Sequence, residues 1–275
     1  QALADQFIVF ATVRGRFEDV ERYRLFDRSR TVEMVDATSA SDLEYAIIQV
    51  EPDVVINCAG VVKQVPASQN VIATLNVNSI LPHRLEELSS RFGFRLILIS
   101  TDCVFRGDQG NYSEADVPDA TDLYGRSKVL GEVDAGNVLT IRTSLIGREL
   151  ASSHGLIEWF LRNRGKTVDG YRRAIFSGFP TVVFADIIGD LLLSWPDLHG
   201  IYHISSDPID KYRLLCLVGE VYDAGIAIHA DDSVAIDRSL NSTRFRKVTG
   251  FTPPPWKEMV ERMAADPTPY DEWRK

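Results

Sequence analysis

The sequence predicts a doubly wound parallel α/β sheet followed by a smaller mixed α/β region. Three observations carry this. Short runs of Val, Ile, Leu and Phe recur through the first half of the chain, continuous rather than alternating, as strands buried on both faces are. Helix-length stretches separate these runs, so strands and helices take turns. With 275 residues and 45% hydrophobic content, the chain can bury one large core or two small ones.

Taken in order, residues 1–6 read as the tail of a helix, and Phe7–Val13 as the first buried strand. Val32–Val35 is a second short strand that ends at Asp36. Ser41–Gln49 is a helix, and Pro52–Cys58 a strand broken by Ala59-Gly60. Asn70–Arg91 is mostly helical, and Phe94–Ser100 is the next strand. Asp122–Val133 has helical character with Asp122 as N-cap, and Asn137–Arg142 is a further strand. A soft boundary near residue 145 divides a dinucleotide-binding part, 1–145, from a substrate-binding region, 146–275, that is interleaved with it. In that second region helices are expected over Gly155–Arg164, Phe184–Trp195, Tyr212–Tyr222 and Ser239–Thr249, with a strand at Gly200–Ser205. Pro253-Pro-Pro-Trp256 opens a last short helix.

A dinucleotide-binding sheet normally opens on a strand and a Gly-rich turn that carries a pyrophosphate at a helix N-terminus. No such turn stands near Gln1. Leaving out a central strand would strand backbone groups on both its neighbours. The first strand and Gly-rich turn are therefore expected to lie upstream, in roughly 15–30 residues preceding Gln1 in the natural protein.

Net charge is −9, which disfavours nucleic acid as a partner. The three cysteines, Cys58, Cys103 and Cys216, are widely spaced and show no metal-site pattern, so buried reduced thiols in a cytoplasmic protein are expected. No apolar run is long enough to span a bilayer, and the 275 residues do not open on a signal peptide.

The chemistry centres on Ile97–Phe105 and Tyr124-Gly-Arg-Ser-Lys128. The first is a buried strand ending in hydroxyls. The second places a phenol and an ammonium four residues apart, on one helix face. A nearby ammonium favours the phenolate and lowers the Tyr pKa, which suits proton exchange with a substrate oxygen. A bare Tyr-x-x-x-Lys also occurs by chance on solvated helices, so the surrounding residues have to decide.

Those residues resemble the short-chain dehydrogenase/reductase superfamily, in the extended, Rossmann-like form that acts on nucleotide sugars. The resemblance makes Thr101 the catalytic hydroxyl, Tyr124 the general acid/base and Lys128 its partner. Asn57-Cys-Ala-Gly60 resembles the superfamily's Asn-Asn-Ala-Gly turn, so Cys58, Ala59 and Gly60 are expected beside the cofactor, as are Ser100, Tyr124 and Lys128. Asp36 is expected to accept a hydrogen bond from adenine, or else to cap the helix after it. Asn78 matches a helix position that the family uses structurally. At the end of the first strand, where an NAD enzyme carries an acid, stand Arg14 and Arg16. Guanidinium groups there suit a 2′-phosphate, so NADP(H) is preferred and NAD(H) is the alternative; the other reading of both arginines is solvated surface charge.

Further matches narrow the resemblance to dTDP-4-dehydrorhamnose reductases: Ser100-Thr-Asp-Cys-Val-Phe105, Arg142-Thr-Ser144, Gly178-Phe-Pro-Thr181 with Asp186, Gly200-Ile-Tyr-His203 and Arg238-Ser-Leu-Asn-Ser242. Cys103 stands where that family has Tyr, and Lys211-Tyr212 where it commonly has Ser-Trp. The resemblance implies reduction of a keto group on a nucleotide-activated deoxysugar, a cytoplasmic location and a homodimer through the Tyr helix. Lys63, Gln64, Asp102, Val104 and Arg142 are the expected substrate contacts. An anionic diphosphate needs local cations, and Arg142, Arg148, Arg162, Arg164, Lys166, Arg172, Arg173 and Arg244 are the candidates. No metal ligand set is expected. A dehydratase is disfavoured because Asp102-Cys103 lacks the Glu of its Asp-Glu pair. An NAD-dependent 4-epimerase and a catalytically inactive regulatory or binding subunit remain as rivals.

Overall fold

A computed structural model describes residues 3–63, 70–150 and 152–273. In chain order these form β1 (Ala11–Thr12), α1 (Glu18–Glu21), β2 (Thr31–Val32), α2 (Ala40–Val50), β3 (Val54–Asn57) and α3 (Val71–Leu75). A π-helical turn, Asn76–Ile80, leads into α4 (Leu81–Phe92); β4 (Arg95–Ile99), α5 (Leu123–Leu130) and β5 (Val138–Arg142) follow. The second half gives β6 (Leu145–Ile146), α6 (Leu156–Leu161), β7 (Thr167–Phe176), β8 (Phe179–Pro180) and α7 (Thr181–Ser194). It ends with β9 (Gly200–His203), β10 (Ile209–Asp210), α8 (Lys211–Val221), β11 (Ala227–Asp237), α9 (Thr243–Thr249) and α10 (Trp256–Ala264).

The main sheet has the order β3-β4-β5-β9, all parallel. Alternation along its strands feeds two layers. Leu96, Leu98 and Val138 pack with Leu43 and Ile47 of α2 and Leu81 and Leu85 of α4. Ile97, Leu139 and Ile141 pack on the other side with Val183, Ile187 and Leu191 of α7 and Met259 of α10. Helices on both faces explain why these strands are apolar throughout. A third cluster joins α6, α8 and α10 to β7 through Ile157, Phe160, Leu214, Val218 and Val260.

Local chemistry sets the helix ends. Ser39, Asn70, Asp122 and Asp210 each accept from a backbone N–H in the first turn of α2, α3, α5 and α8. Gly93 closes α4 at φ +84°, a left-handed conformation that favours glycine.

The structure departs from the sequence reading at both ends of the regular part. The expected strand Phe7–Val13 contracts to β1, which pairs only with the two-residue β2. Ile8 is 75% exposed, so the apolar run before β1 lies uncovered by the described residues. The second strand does not run to Val35, because Met34 takes φ +58° and breaks it. In the C-terminal region the sequence reading missed β7 and β11, which pair in parallel with β10 on the other edge of β7. β7 alternates buried and exposed positions around a glycine, and β11 has no fully buried residue. Neither therefore carries the continuous apolar run that marks a buried strand. The three thiols are free, but none is fully buried: Cys58 is exposed, and Cys103 and Cys216 are intermediate.

Candidate active site

The end of β4 and the start of α5 build the site together. After Ile99 the chain still pairs with the β5 side, through Ser100 N to Ile141 O at 2.7 Å and Asp102 N to Thr143 O at 3.1 Å. It then tightens into a 3₁₀ turn, Asp102–Val104, which Thr101 caps by accepting from Cys103 N at 3.1 Å. The Thr101 hydroxyl also donates to Asp102 Oδ1 at 3.1 Å. α5 presses directly on this turn. A Cβ at Gly125 would collide with the Cys103 carbonyl oxygen, and one at Gly131 with the Asn78 carbonyl, so both glycines permit the close approach.

Asn78 ties the segment after Gly60 to the same helix. Its Oδ1 accepts from Val61 N at 2.8 Å, and its Nδ2 donates to Val61 O at 3.0 Å and to Ser127 Oγ at 3.1 Å. Ser127 is fully buried and donates in turn to Tyr124 O at 2.7 Å. Asn78 thus holds α5, the π-helical turn and the segment after Gly60 in one arrangement.

Burial dominates the electrostatics. It pushes the Tyr124 phenol well above its ordinary value; Cys103, Asp102 and Asp122 add to the rise, while a hydrogen bond with Thr101 opposes it. The sequence expectation was a lowered Tyr pKa, and the structure corrects it: desolvation sets the shift, and the ammonium is engaged elsewhere. Lys128 Nζ donates instead to Ile99 O at 2.7 Å, and burial lowers its own pKa, against a raising effect from Glu132. Tyr124 is therefore held as a neutral phenol at neutral pH. Burial also raises the Asp102 carboxyl and pushes the Cys103 thiol up to about 12, so Cys103 stands beside the site as a neutral thiol.

Behind this wall lies a buried ion pair that sequence reasoning missed. Glu132, one turn beyond Lys128, takes a bidentate contact from Arg142: Nε to Oε1 at 2.8 Å and Nη2 to Oε2 at 2.7 Å. Ser100 Oγ donates to the same carboxylate at 2.6 Å. Arg142 Nη1 lies 3.2 Å from His203 Nε2, and His203 Nδ1 lies 2.9 Å from Tyr112 O. The spacing Lys-x-x-x-Glu was the available signal, since it puts Glu132 on the Lys128 face of the chain.

A cavity of about 400 Å³ opens beside the wall, lined on one side by Lys63, Asp102 and Cys103. Two expected substrate contacts lie elsewhere. The Val104 side chain is fully buried with Phe105, Tyr112 and Leu240, because the 3₁₀ turn points it inward. Arg142 is 4% exposed and committed to Glu132. The Ser100 hydroxyl, expected at the cofactor, is likewise spent on Glu132. Of the eight candidate cations for a diphosphate, only Arg148 lines this cavity, and it pairs with Glu158 and Asp271. The cations that join it are Lys63, Lys211 and Arg238. Lys63 Nζ meets Asp122 Oδ2 at 3.1 Å. Gln64 lies outside the described residues.

On the cofactor side, Cys58, Ala59 and Gly60 form an exposed turn at the C-terminal end of β3, held by Ala59 N donating to Asn57 Oδ1 at 3.1 Å. The Arg14 side chain is 85% exposed and sits 3.4 Å from Asp36. Asp36 accepts from the Thr38 N–H and hydroxyl, which hold its carboxyl below the usual range; the helix after it is capped by Ser39 instead. Arg16 is exposed, and its backbone N–H donates to Asp19.

A parallel sheet with helices on both faces, and a Tyr/Lys pair on the helix after the strand that ends in Ser-Thr, define an extended short-chain dehydrogenase/reductase. Within that class the chain belongs to the RmlD substrate binding domain family, whose model matches residues 18–268. It is 26% identical over 251 residues to methionine adenosyltransferase 2 subunit beta of Xenopus tropicalis, covering 83% of this chain and 69% of that protein. It is 24% identical over 253 residues to dTDP-4-dehydrorhamnose reductase of Aggregatibacter actinomycetemcomitans, covering 82% and 85%. Among solved structures, dTDP-4-dehydrorhamnose reductase from Bacillus anthracis in complex with NADP superposes with a TM-score of 0.75 at 20% identity, covering 93% of this chain and 97% of that one. At that identity the likeness shows the fold.

Proposed function

We propose that this chain is an NADPH-dependent reductase of a keto group on a nucleotide-activated deoxysugar. The observation that carries the reading is the Thr101–Tyr124–Lys128 set, closed against the end of β4, with Asp102 and Cys103 beside Thr101 lining the cavity. The residues present fit a dinucleotide at two ends. The exposed turn Cys58–Gly60 would border the nicotinamide ribose, with Lys128 as hydrogen-bond donor to it, and the solvated Arg14, with Arg16 nearby, would meet a 2′-phosphate. A bound reduced nicotinamide supplies hydride to the carbonyl carbon.

The chain's own residues do the rest. Thr101 turns its one hydroxyl proton from Asp102 to the carbonyl oxygen and holds that oxygen toward Tyr124. As negative charge develops on that oxygen, the Tyr124 phenol gives up its proton and the alcohol forms. A phenol kept neutral by burial is in the form this direction of reaction needs. Lys128 then steadies the phenolate until a solvent proton restores it. Asp102 and Lys63 border the sugar from the cavity side.

The test is a titration of the protein with NADPH and with NADH by nicotinamide fluorescence, followed by reduction of dTDP-4-dehydro sugars. Preference for NADPH with turnover supports the reductase. Tightly held NAD with no net reduction would instead indicate the 4-epimerase. A second reading, a regulatory subunit that has kept the fold without the reaction, draws on the similarity to methionine adenosyltransferase 2 subunit beta. Cofactor binding without reduction of any nucleotide sugar, together with co-purification of a catalytic partner, would favour it. Exposed Ile72, Ile80 and Leu130 on and next to the helices around Tyr124 suit a homodimer through that face, which sedimentation of the protein would detect.

A further inference from the structure

Asp102 is an acid at the site to which the reduction assigns no chemical step. It is 7% exposed, yet it borders the cavity together with Cys103 and Ser144. Thr101 and Cys103 from its own turn, and Ser144 from beyond β5, hydrogen-bond its carboxyl.

Thr101 joins Asp102 to Tyr124. Its Oγ lies 3.1 Å from Asp102 Oδ1 and hydrogen-bonds the Tyr124 phenol. It also accepts from Cys103 N at 3.1 Å. A hydroxyl has one proton to give and two lone pairs to fill. With the Cys103 N–H on one lone pair and an Asp102 O–H on the other, its proton is left for Tyr124. The contact between Thr101 and Asp102 serves in either direction: Thr101 donates while Asp102 is ionised and accepts once Asp102 is protonated.

The surroundings of Asp102 decide which state it takes. Burial raises its carboxyl, and Arg238, which follows β11, is the cation that works against the rise. Arg238 Nε donates to Phe105 O at 2.8 Å, which fixes it there. The other charges of the cavity are mostly engaged with one another. Lys63 meets Asp122, Arg148 meets Glu158, and Glu149 accepts from His154 N, Gly155 N and Ser152 Oγ; Lys211 stands on the far wall. The neighbouring acids are poorer proton sources for Tyr124. The Cys103 thiol is pushed up to about 12, and the Lys128 ammonium is directed at Ile99 O.

Each reduction leaves Tyr124 short of a proton while its oxygen faces the substrate, so the proton has to return from the protein side. We propose that Asp102 returns it through Thr101. This rests on the reductase reading and adds the route by which its acid is restored. The Thr101 Oγ–H bond breaks as the Tyr124 Oη–H bond forms, and the Asp102 O–H bond breaks as a new Thr101 Oγ–H bond forms. The carboxylate left behind takes a proton from water in the cavity. Nothing is oxidised or reduced in this step.

Two measurements test the relay. The first needs neither substrate nor cofactor: a ¹³C NMR titration of the full chain labelled at its aspartate carboxyls, with Asp102→Asn to assign the Asp102 signal. Asp102 should titrate clearly above the ordinary value of about 3.9, and higher still in Arg238→Gln. Titration at or below the ordinary value would overturn the relay and leave the reductase reading intact. The second is stopped-flow oxidation of NADPH by dTDP-4-dehydro sugars. Asp102→Asn keeps the shape of the side chain and its Oδ1 acceptor. Tyr124 starts as a neutral phenol, so the first turnover of this variant should stay within twofold of the parent. Later turnovers need the proton back and should slow by about 10- to 100-fold, giving a burst that the parent lacks. Equal slowing of the first and later turnovers would make Asp102 a substrate contact, and no slowing would put the route elsewhere; either result overturns the relay. A parent protein that oxidises no NADPH with these sugars would remove the reductase reading, and the relay with it.

Discussion

The two walls of the cavity are built in different ways. The reactive wall comes from one continuous stretch, residues 99–128: a strand end, a 3₁₀ turn and the first turns of α5. The other wall gathers Lys211, Arg238 and Ile175 from α8, the residue after β11, and β7, with Arg238 reaching back to Phe105 O. The first depends on short-range geometry that a spacing rule can express. The second depends on strand pairing between segments some 60 residues apart, such as Ile175↔Asp237. The Thr101–Lys128 wall is thus placed by local structure, and the wall that holds Lys211 and Arg238 by the long-range fold.

The sharpest way to separate the walls is Tyr124→Phe. It keeps the ring and its packing and removes only the proton donor. Reduction should fall by about 10²–10⁴-fold, the usual contribution of positioned proton transfer. Diphosphate and NADPH binding should hold near parent values. A kcat unchanged in this variant would mean the proton comes from elsewhere, and the assignment of the reactive wall would fail.

The next effect concerns what stands behind that wall. Glu132 and Arg142 are each about 5% exposed in their side chains, so removing one partner leaves the other buried and uncompensated. Glu132→Ala should cost about 3–5 kcal/mol in chemical denaturation. It should also lower the Lys128 pKa further, because Glu132 is the group that raises it. The exposed pair Arg172–Asp232 offers the contrast: Arg172→Ala should leave the denaturation midpoint where it is. Equal effects from the two pairs would show that burial is not what makes the first one matter.

His203 extends the same network, and its prediction is in pH. Burial and the Arg142 charge push it down to about 3, while in the unfolded chain it titrates near 6.5. The folded-state value is depressed, so the stability it protects is present above pH 6.5 and is lost as pH falls toward 3. Between pH 7 and pH 5 the loss should reach about 2 kcal/mol, because only the unfolded chain takes up the proton. Carboxylates held low, such as Asp36 and Asp116, release their share mainly below about pH 4, whereas the raised Asp102 carboxyl acts with the opposite sign, adding stability as pH falls. The difference between parent and His203→Gln therefore isolates the imidazole, and the variant should lose less stability between pH 7 and pH 5. A variant profile as steep as the parent's would contradict the buried neutral imidazole.

What the sequence made legible follows this division. The parallel strands β3, β4 and β5 were readable because burial on both faces leaves an uninterrupted apolar run. The placing of Tyr124 and Lys128 on one helix was readable because four residues on a helix are a fixed distance, and Thr101 because it ends a buried apolar strand. Arg142 was read by charge as a ligand contact and turned out to be a structural cation, since nothing local to it shows that Glu132 lies against it. Lys211 was visible as a departure from a family pattern, but its meeting with Arg238 depends on β7 and β11. Those strands are half exposed and partly polar, so they carry no apolar signature. The Tyr124 pKa was misjudged for a related reason: the ammonium is close in sequence, whereas the burial that raises the phenol and the turn of Lys128 to Ile99 O are properties of the packed site.

The smallest expected effect falls furthest from both walls, at the end of β1. Arg14 is almost wholly solvated, and its contact with Asp36 at 3.4 Å is a loose surface pair. Removing it should not move stability. If Arg14 meets a 2′-phosphate, however, Arg14→Ala should weaken NADPH by about tenfold, the worth of one exposed charge-assisted contact. NADH binding should be unchanged, because it has no phosphate there. The ratio of the two dissociation constants is the reading to take, since it cancels any general loosening of the Gly15 turn beside it. Arg16→Ala provides the control within the same turn: a larger change there than at Arg14 would assign the phosphate to Arg16. Equal NADPH affinity in both variants and the parent would make the two arginines plain surface charge, and cofactor choice would then have to be set by residues other than these.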